Sequence, residues 1–181
     1  MRQIVLALSV GLLIPATAGA QAGGTGVNRI SRAIGQQWDS AKKFLLESAD
    51  QMPEADYAFK PVATVRSFGA VIAHVAGANY VFCSAAAGEK PPHAEDEYEK
   101  TATTKAAITK ALRESVAYCD KAYTALTDQK AADMIAMPFG GASSSRASAL
   151  MSNTGHVQEH YGNLVTYFRI KGMVPPSSRG Q

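Results

Sequence analysis

Two histidines stand four residues apart in the run His156-Val157-Gln158-Glu159-His160-Tyr161. On a helix that spacing stacks two imidazoles one turn apart on one face. It is how a helix offers two nitrogens to a single metal ion. The chain has four histidines in all. A third, His74, lies far upstream in another apolar helical pattern and can complete a three-nitrogen site. Three neutral imidazoles leave coordination positions open for water or substrate. Imidazole suits zinc, nickel, copper or iron, so the ligand type alone does not name the metal. The fourth histidine, His93, follows Pro91-Pro92 in a charged stretch and reads as a solvated surface residue.

The plainer account of the three is that they are hydrogen-bonded core histidines. Burying an imidazole costs free energy unless its nitrogens find partners, and a metal ion would satisfy one nitrogen on each ring. His156-x-x-Glu159-His160 also matches the H-x-x-E-H peptidase signature, with Glu159 as general base. Only 21 residues follow His160, and none is Glu or Asp. A downstream carboxylate ligand is therefore absent, and the peptidase reading falls. Glu159 is left as a candidate acid/base or outer hydrogen-bonding group, or simply as a solvated carboxylate. Ser143-Ser144-Ser145 has no G-x-S-x-G elbow around it and reads as helix N-cap material.

The elements that must position these residues are helical. Apolar residues recur at three/four spacing in four stretches separated by Pro/Gly-rich connectors. The first, residues 27–49, carries Val27, Ile30, Ile34, Trp38, Ala41 and Leu45. The second, 67–87, starts at a Ser67 N-cap and carries Val71, His74, Val75, Ala78 and Phe82. The third, 103–127, carries Ile108, Leu112, Val116, Cys119, Tyr123 and Leu126. The fourth runs from the serine cluster to about residue 171 and carries His156 and His160. Residues 88–101 form a polar connector long enough to cross from one end of a bundle to the other. Residues 128–141 form a second irregular segment. The pattern predicts an all-α four-helix bundle with one crossover, so that helices two and three run parallel.

Residues 1–22 read as a signal peptide: Arg2, an apolar run from Ile4 to Ile14, then two A-x-A sites at Ala18-Gly19-Ala20 and Ala20-Gln21-Ala22. The run is too short to span a bilayer. Export to the periplasm or beyond is expected, leaving one domain over residues 23–181. The formal charge of the whole chain is +3, with the basic residues scattered, so nucleic acid is not an expected partner. No membrane partner is expected after cleavage. Cys83 and Cys119 make an even pair, and in an oxidising compartment that suggests one disulfide. Parallel second and third helices would bring them to similar heights.

The residues also carry a resemblance. Met52-Pro53-Glu54-x-x-Tyr57-x-Phe59-x-Pro61, then Val65-Arg66-Ser67-Phe68-Gly69, then His74, resemble the DinB-like (YfiT-like) metal-binding bundle superfamily. So does His156-x-x-x-His160-Tyr161-Gly162-Asn163-Leu164, followed by Tyr167, Arg169, Lys171-Gly172 and Pro175-Pro176. The resemblance implies an up-down-down-up bundle with the long crossover between helices two and three. It implies a divalent metal ion, zinc or nickel, held by His74, His156 and His160. Relatives of this kind include thiol-dependent transferases and isomerases acting on small molecules in the cytoplasm, and homodimers are frequent among them. The signal peptide sets this chain apart from those enzymes.

The expectation is an exported metal-dependent transferase or hydrolase acting on a small molecule, with Glu159, Tyr161 or Asn163 assisting. Its rivals are a non-catalytic metal-sequestering bundle and a purely structural one.

Overall fold

A computed structural model describes residues 28–180; the signal segment expected over residues 1–22 lies outside them, as does Val27. The helices run α1 (Arg29–Gln51), α2 (Phe68–Ala87), α3 (Glu97–Thr101), α4 (Lys105–Thr124), α5 (Asp128–Ala131) and α6 (Arg146–Ile170). The long ones, α1, α2, α4 and α6, are the four expected from the periodicity. Between α5 and α6 lies a hairpin, β1 (Met134–Ala136) against β2 (Ser143–Ser145), antiparallel with Ile135 opposite Ser144. The molecule is all-α apart from that hairpin among the described residues.

Hydroxyl side chains start three of the long helices. Ser67, Thr104 and Ser145 each accept from the backbone N–H three residues on, at 3.1–3.2 Å, which satisfies donors a helix leaves open. The start of α1 is capped from across the chain. The Asp128 carboxylate accepts from the N–H groups of Arg29, Ile30 and Ser31 at 2.8–3.3 Å. Those bonds, that of Ser31 foremost, hold the Asp128 carboxyl below its ordinary range. Ile30, expected in the core stripe, is 62% exposed, while its neighbour Ser31 is buried.

The core centres on α2, in which sixteen of twenty residues are buried. α2 packs on α4 and α6, and α1 packs on the same two from the opposite corner. A helix walled in on most sides must be apolar all round. That accounts for a composition which by length and hydropathy alone would let α2 cross a membrane. Trp38, Leu45, Phe68, Leu112, Leu150, Leu164 and Phe168 fill the interior. Cys83 of α2 and Cys119 of α4 form the expected disulfide, with Cα atoms 5.3 Å apart.

The connectors hold more structure than their sequences advertise. In the 88–104 segment α3 forms a single turn, too short to register as a periodic pattern, and Lys100 pairs with Asp96 along it. Gly77 makes room for this segment: a Cβ there would overlap the backbone carbonyl of Glu95. His93 is not a free surface residue. Its ring lies 4.8 Å from Tyr80 and 5.2 Å from Tyr98, and its Nδ1 is 2.9 Å from Glu97. In the serine cluster only Ser145 caps α6, while Ser143 and Ser144 pair in the hairpin. Gly140 and Gly141, with φ of 76° and 67°, form its tip.

Candidate metal centre

The α2 and α6 helices face one another in the core, and at their contact both replace apolar residues with histidine. On α6 the four-residue spacing sets the rings of His156 and His160 with centroids 4.4 Å apart. From α2, the His74 ring lies 5.0 Å from His156 and 4.9 Å from His160. The Nε2 of His156 sits 3.1 Å from that of His74 and 3.0 Å from that of His160. The ligand nitrogens of all three fall within 4.8 Å of one another.

Burial and mutual repulsion disfavour the charged forms of His156 and His160. His74 and His160 are buried, and His156 is partly buried. Desolvation first, then the neighbouring His160, His74 and Arg66, lower the pKa of His156 to about 3. Desolvation, followed by His74, also lowers that of His160. Both rings are therefore neutral near pH 7 and carry one lone pair each. The Nδ1 atoms of His156 and His160 are buried without a partner among the described residues. That of His74 is 3.1 Å from Glu99 Oε1.

These residues fit a metal ion. Two nitrogens that bind one ion at about 2.0–2.1 Å stand roughly 3.0–3.4 Å apart, the separation seen at both Nε2 pairs. Direct hydrogen bonding serves the cluster worse, because His156 Nε2 would have to meet two neighbours with one proton or one lone pair. The carboxylate on His74 Nδ1 matches the acceptor that commonly orients a metal-bound imidazole. Three nitrogens do not complete a coordination sphere, so the cluster can hold an ion with positions to spare.

Beside the cluster lies a cleft of about 930 Å³, within the size range of small-molecule sites. His160 and Glu99 form part of its wall, with Lys60, Arg66, Glu159 and Asn163. Arg66 clamps Glu99 through Nε at 2.9 Å and Nη2 at 3.3 Å. Tyr167 donates to the Arg66 carbonyl at 2.7 Å, tying the 61–67 loop to α6. Glu159 and Asn163 thus reach the cleft. Tyr161 does not: it stacks on Phe44 at 5.3 Å, and its hydroxyl accepts from the Ser177 N–H at 2.8 Å.

Glu99 and Arg66 are the site residues that the sequence does not single out. Glu99 closes an acidic run with Glu95 and Glu97 in a connector, and nothing in its spacing relates it to a histidine 25 residues earlier. Arg66 falls within the resemblance motif, the one sequence signal near it.

An all-α bundle with a buried three-histidine cluster opening on a cleft defines the class of protein. The chain belongs to the DinB superfamily, whose family model matches residues 37–164. Among solved structures it is similar to a DinB-like protein from Bacillus cereus, at 16% identity and TM-score 0.64, covering 80% of this chain and 95% of that one. A DinB-like protein from Bacillus subtilis is similar at 19% identity and TM-score 0.63, covering 82% and 99%. A mycothiol-dependent maleylpyruvate isomerase is similar at 16% identity and TM-score 0.60, covering 75% of this chain and 59% of that one. These are likenesses of fold. No curated protein sequence matches the chain.

Proposed function

We propose that the protein is an exported, divalent-metal-dependent transferase or hydrolase acting on a small molecule, with His74, His156 and His160 as the metal ligands. The observation that carries this reading is the convergence of three imidazole nitrogens beside a cleft of ligand size. An ion held there, zinc or nickel by resemblance, supplies Lewis acidity to a substrate carbonyl or to a water or thiol nucleophile. Glu159 stands on the cleft wall next to His160, where it can take or return a proton. Arg66 and Lys60 give the same wall two cations that can orient an anionic group.

The maleylpyruvate isomerase relative depends on mycothiol. Export through residues 1–22 would remove this chain from cytoplasmic thiols, so water is the nucleophile we favour. We also propose the up-down-down-up order with its crossover between α2 and α4. The disulfide between those helices supports it.

Elemental analysis of protein purified without a polyhistidine tag tests the metal, alongside a His156→Ala/His160→Ala variant. About one equivalent of metal in the first and close to none in the second is expected. Equal, near-zero metal in both would sink the reading. With metal loaded, turnover of ester, lactone or amide probes that the variant cannot process supports catalysis. Stoichiometric binding with no turnover would instead favour sequestration.

A further inference from the structure

We propose that Glu99 is the positioning residue of this centre: its carboxylate fixes the His74 tautomer that turns an Nε2 lone pair toward the ion, and so couples the 88–104 connector to metal binding. The inference rests on the metal reading above.

A carboxylate only accepts hydrogen bonds, so the 3.1 Å contact between Glu99 Oε1 and His74 Nδ1 requires the proton on Nδ1. In a neutral ring that leaves Nε2 with its lone pair, and Nε2 is the atom that faces His156. Glu95 Oε1 stands 3.9 Å from the same nitrogen, too far to substitute. Among the described residues, His156 and His160 have no acceptor on Nδ1, and of the three histidines only His74 has its tautomer dictated by another side chain.

Glu99 is itself held in place. Arg66 grips both of its oxygens from the 61–67 loop. An exposed Arg–Glu pair alone would contribute little, but here Oε1 is shared between the guanidinium and a buried imidazole. The backbone carrying Glu99 is docked independently of that pair. Tyr98, its neighbour on α3, lies within 6.2 Å of Tyr80 and 5.2 Å of His93, and the preceding segment sits against Gly77. Because coupling is reciprocal, a carboxylate that improves the ligand is also held more firmly when the ion is bound.

The test is a competitive-chelator titration with Zn(II) and Ni(II) on the full mature chain, with E99A and E99Q. Loss of an outer partner of this kind typically weakens binding about 10–100-fold. That loss is expected for E99A, with a smaller one for E99Q, whose amide oxygen still accepts from Nδ1–H. Nitrogen-15 imidazole spectra of the metal-free protein should show His74 protonated on Nδ1 in the wild type. Hydrogen exchange across residues 94–101 should slow when metal is added to the wild type and change less in E99A. Wild-type affinity in folded E99A would overturn the proposal, as would an Nε2–H tautomer of His74 in the metal-free wild type. Should the wild type bind neither metal, the metal reading falls and this inference with it.

Discussion

Gly77 lies directly beneath Glu95: a Cβ on the glycine would occupy the space of the Glu95 carbonyl. This contact seats the 88–104 connector on α2 one turn beyond His74, and four residues later the connector delivers Glu99 to that histidine. A missing side chain in the core helix therefore helps decide where a carboxylate beside the histidine cluster stands.

Gly77→Ala sets two effects against each other. Alanine gains up to about 1 kcal/mol in helix propensity. Overpacking that must move neighbouring backbone typically costs about 1–3 kcal/mol. The overlap here is with backbone atoms, so the cost is expected to win: a lower thermal midpoint and weaker metal binding together. A higher midpoint with unchanged affinity would show that the connector does not need this contact.

Stability of the metal-free protein depends on pH through the buried histidines. His156 has a folded pKa lowered to about 3 against an unfolded value near 6.5. His160 is shifted in the same direction. In that window the unfolded chain binds protons that the folded chain refuses, so stability falls as pH drops below about 6.5. The slope is at most about 1.4 kcal/mol per pH unit for each proton. Urea unfolding in chelator between pH 7 and 5 should show this decline, and His156→Gln should flatten it. A slope identical in the variant would remove His156 as its source.

Metal should stabilise the fold by mass action. Ligand at 100 times its dissociation constant adds about 2.7 kcal/mol. Chelator is thus expected to lower the melting temperature of the wild type and leave that of His156→Ala/His160→Ala unchanged. Equal responses in the two proteins would mean that the chelator acts elsewhere.

The Cys83–Cys119 disulfide closes a loop with a sequence separation of 36. Chain-entropy reasoning gives it about 4 kcal/mol, with measured values commonly lower. Both cysteines are fully buried, so slow reduction and a clear fall in stability are expected for Cys83→Ala/Cys119→Ala. Two alkylatable thiols in protein from an oxidising compartment would contradict the bond.

Much of the fold is legible in the sequence because long helices announce themselves by repetition. Ile34, Trp38, Ala41 and Leu45 keep one face of α1 for about three turns, and all are buried. Ser67 and Ser145 mark helix starts through a local bond to the third residue on. The short elements leave no such trace. α3 is five residues long and each hairpin strand three, less than two periods of a helix or strand pattern, so nothing repeats. Tyr161, adjacent to His160 in the chain, is carried by the helical turn onto Phe44 and away from the cleft.

By itself the sequence determined the four long helices and the pairing of His156 with His160, because contacts four residues apart follow from helical geometry alone. It also marked His74 as a histidine within an apolar stripe. Only the tertiary structure decided that His74 meets the pair, that Arg66 and Glu99 stand behind it, and that Glu159 borders the cleft while Tyr161 does not. His74 stands 82 residues from His156 and 25 from Glu99 along the chain. These relationships depend on which helix faces pack together and on where the connectors can dock, quantities that no local pattern encodes.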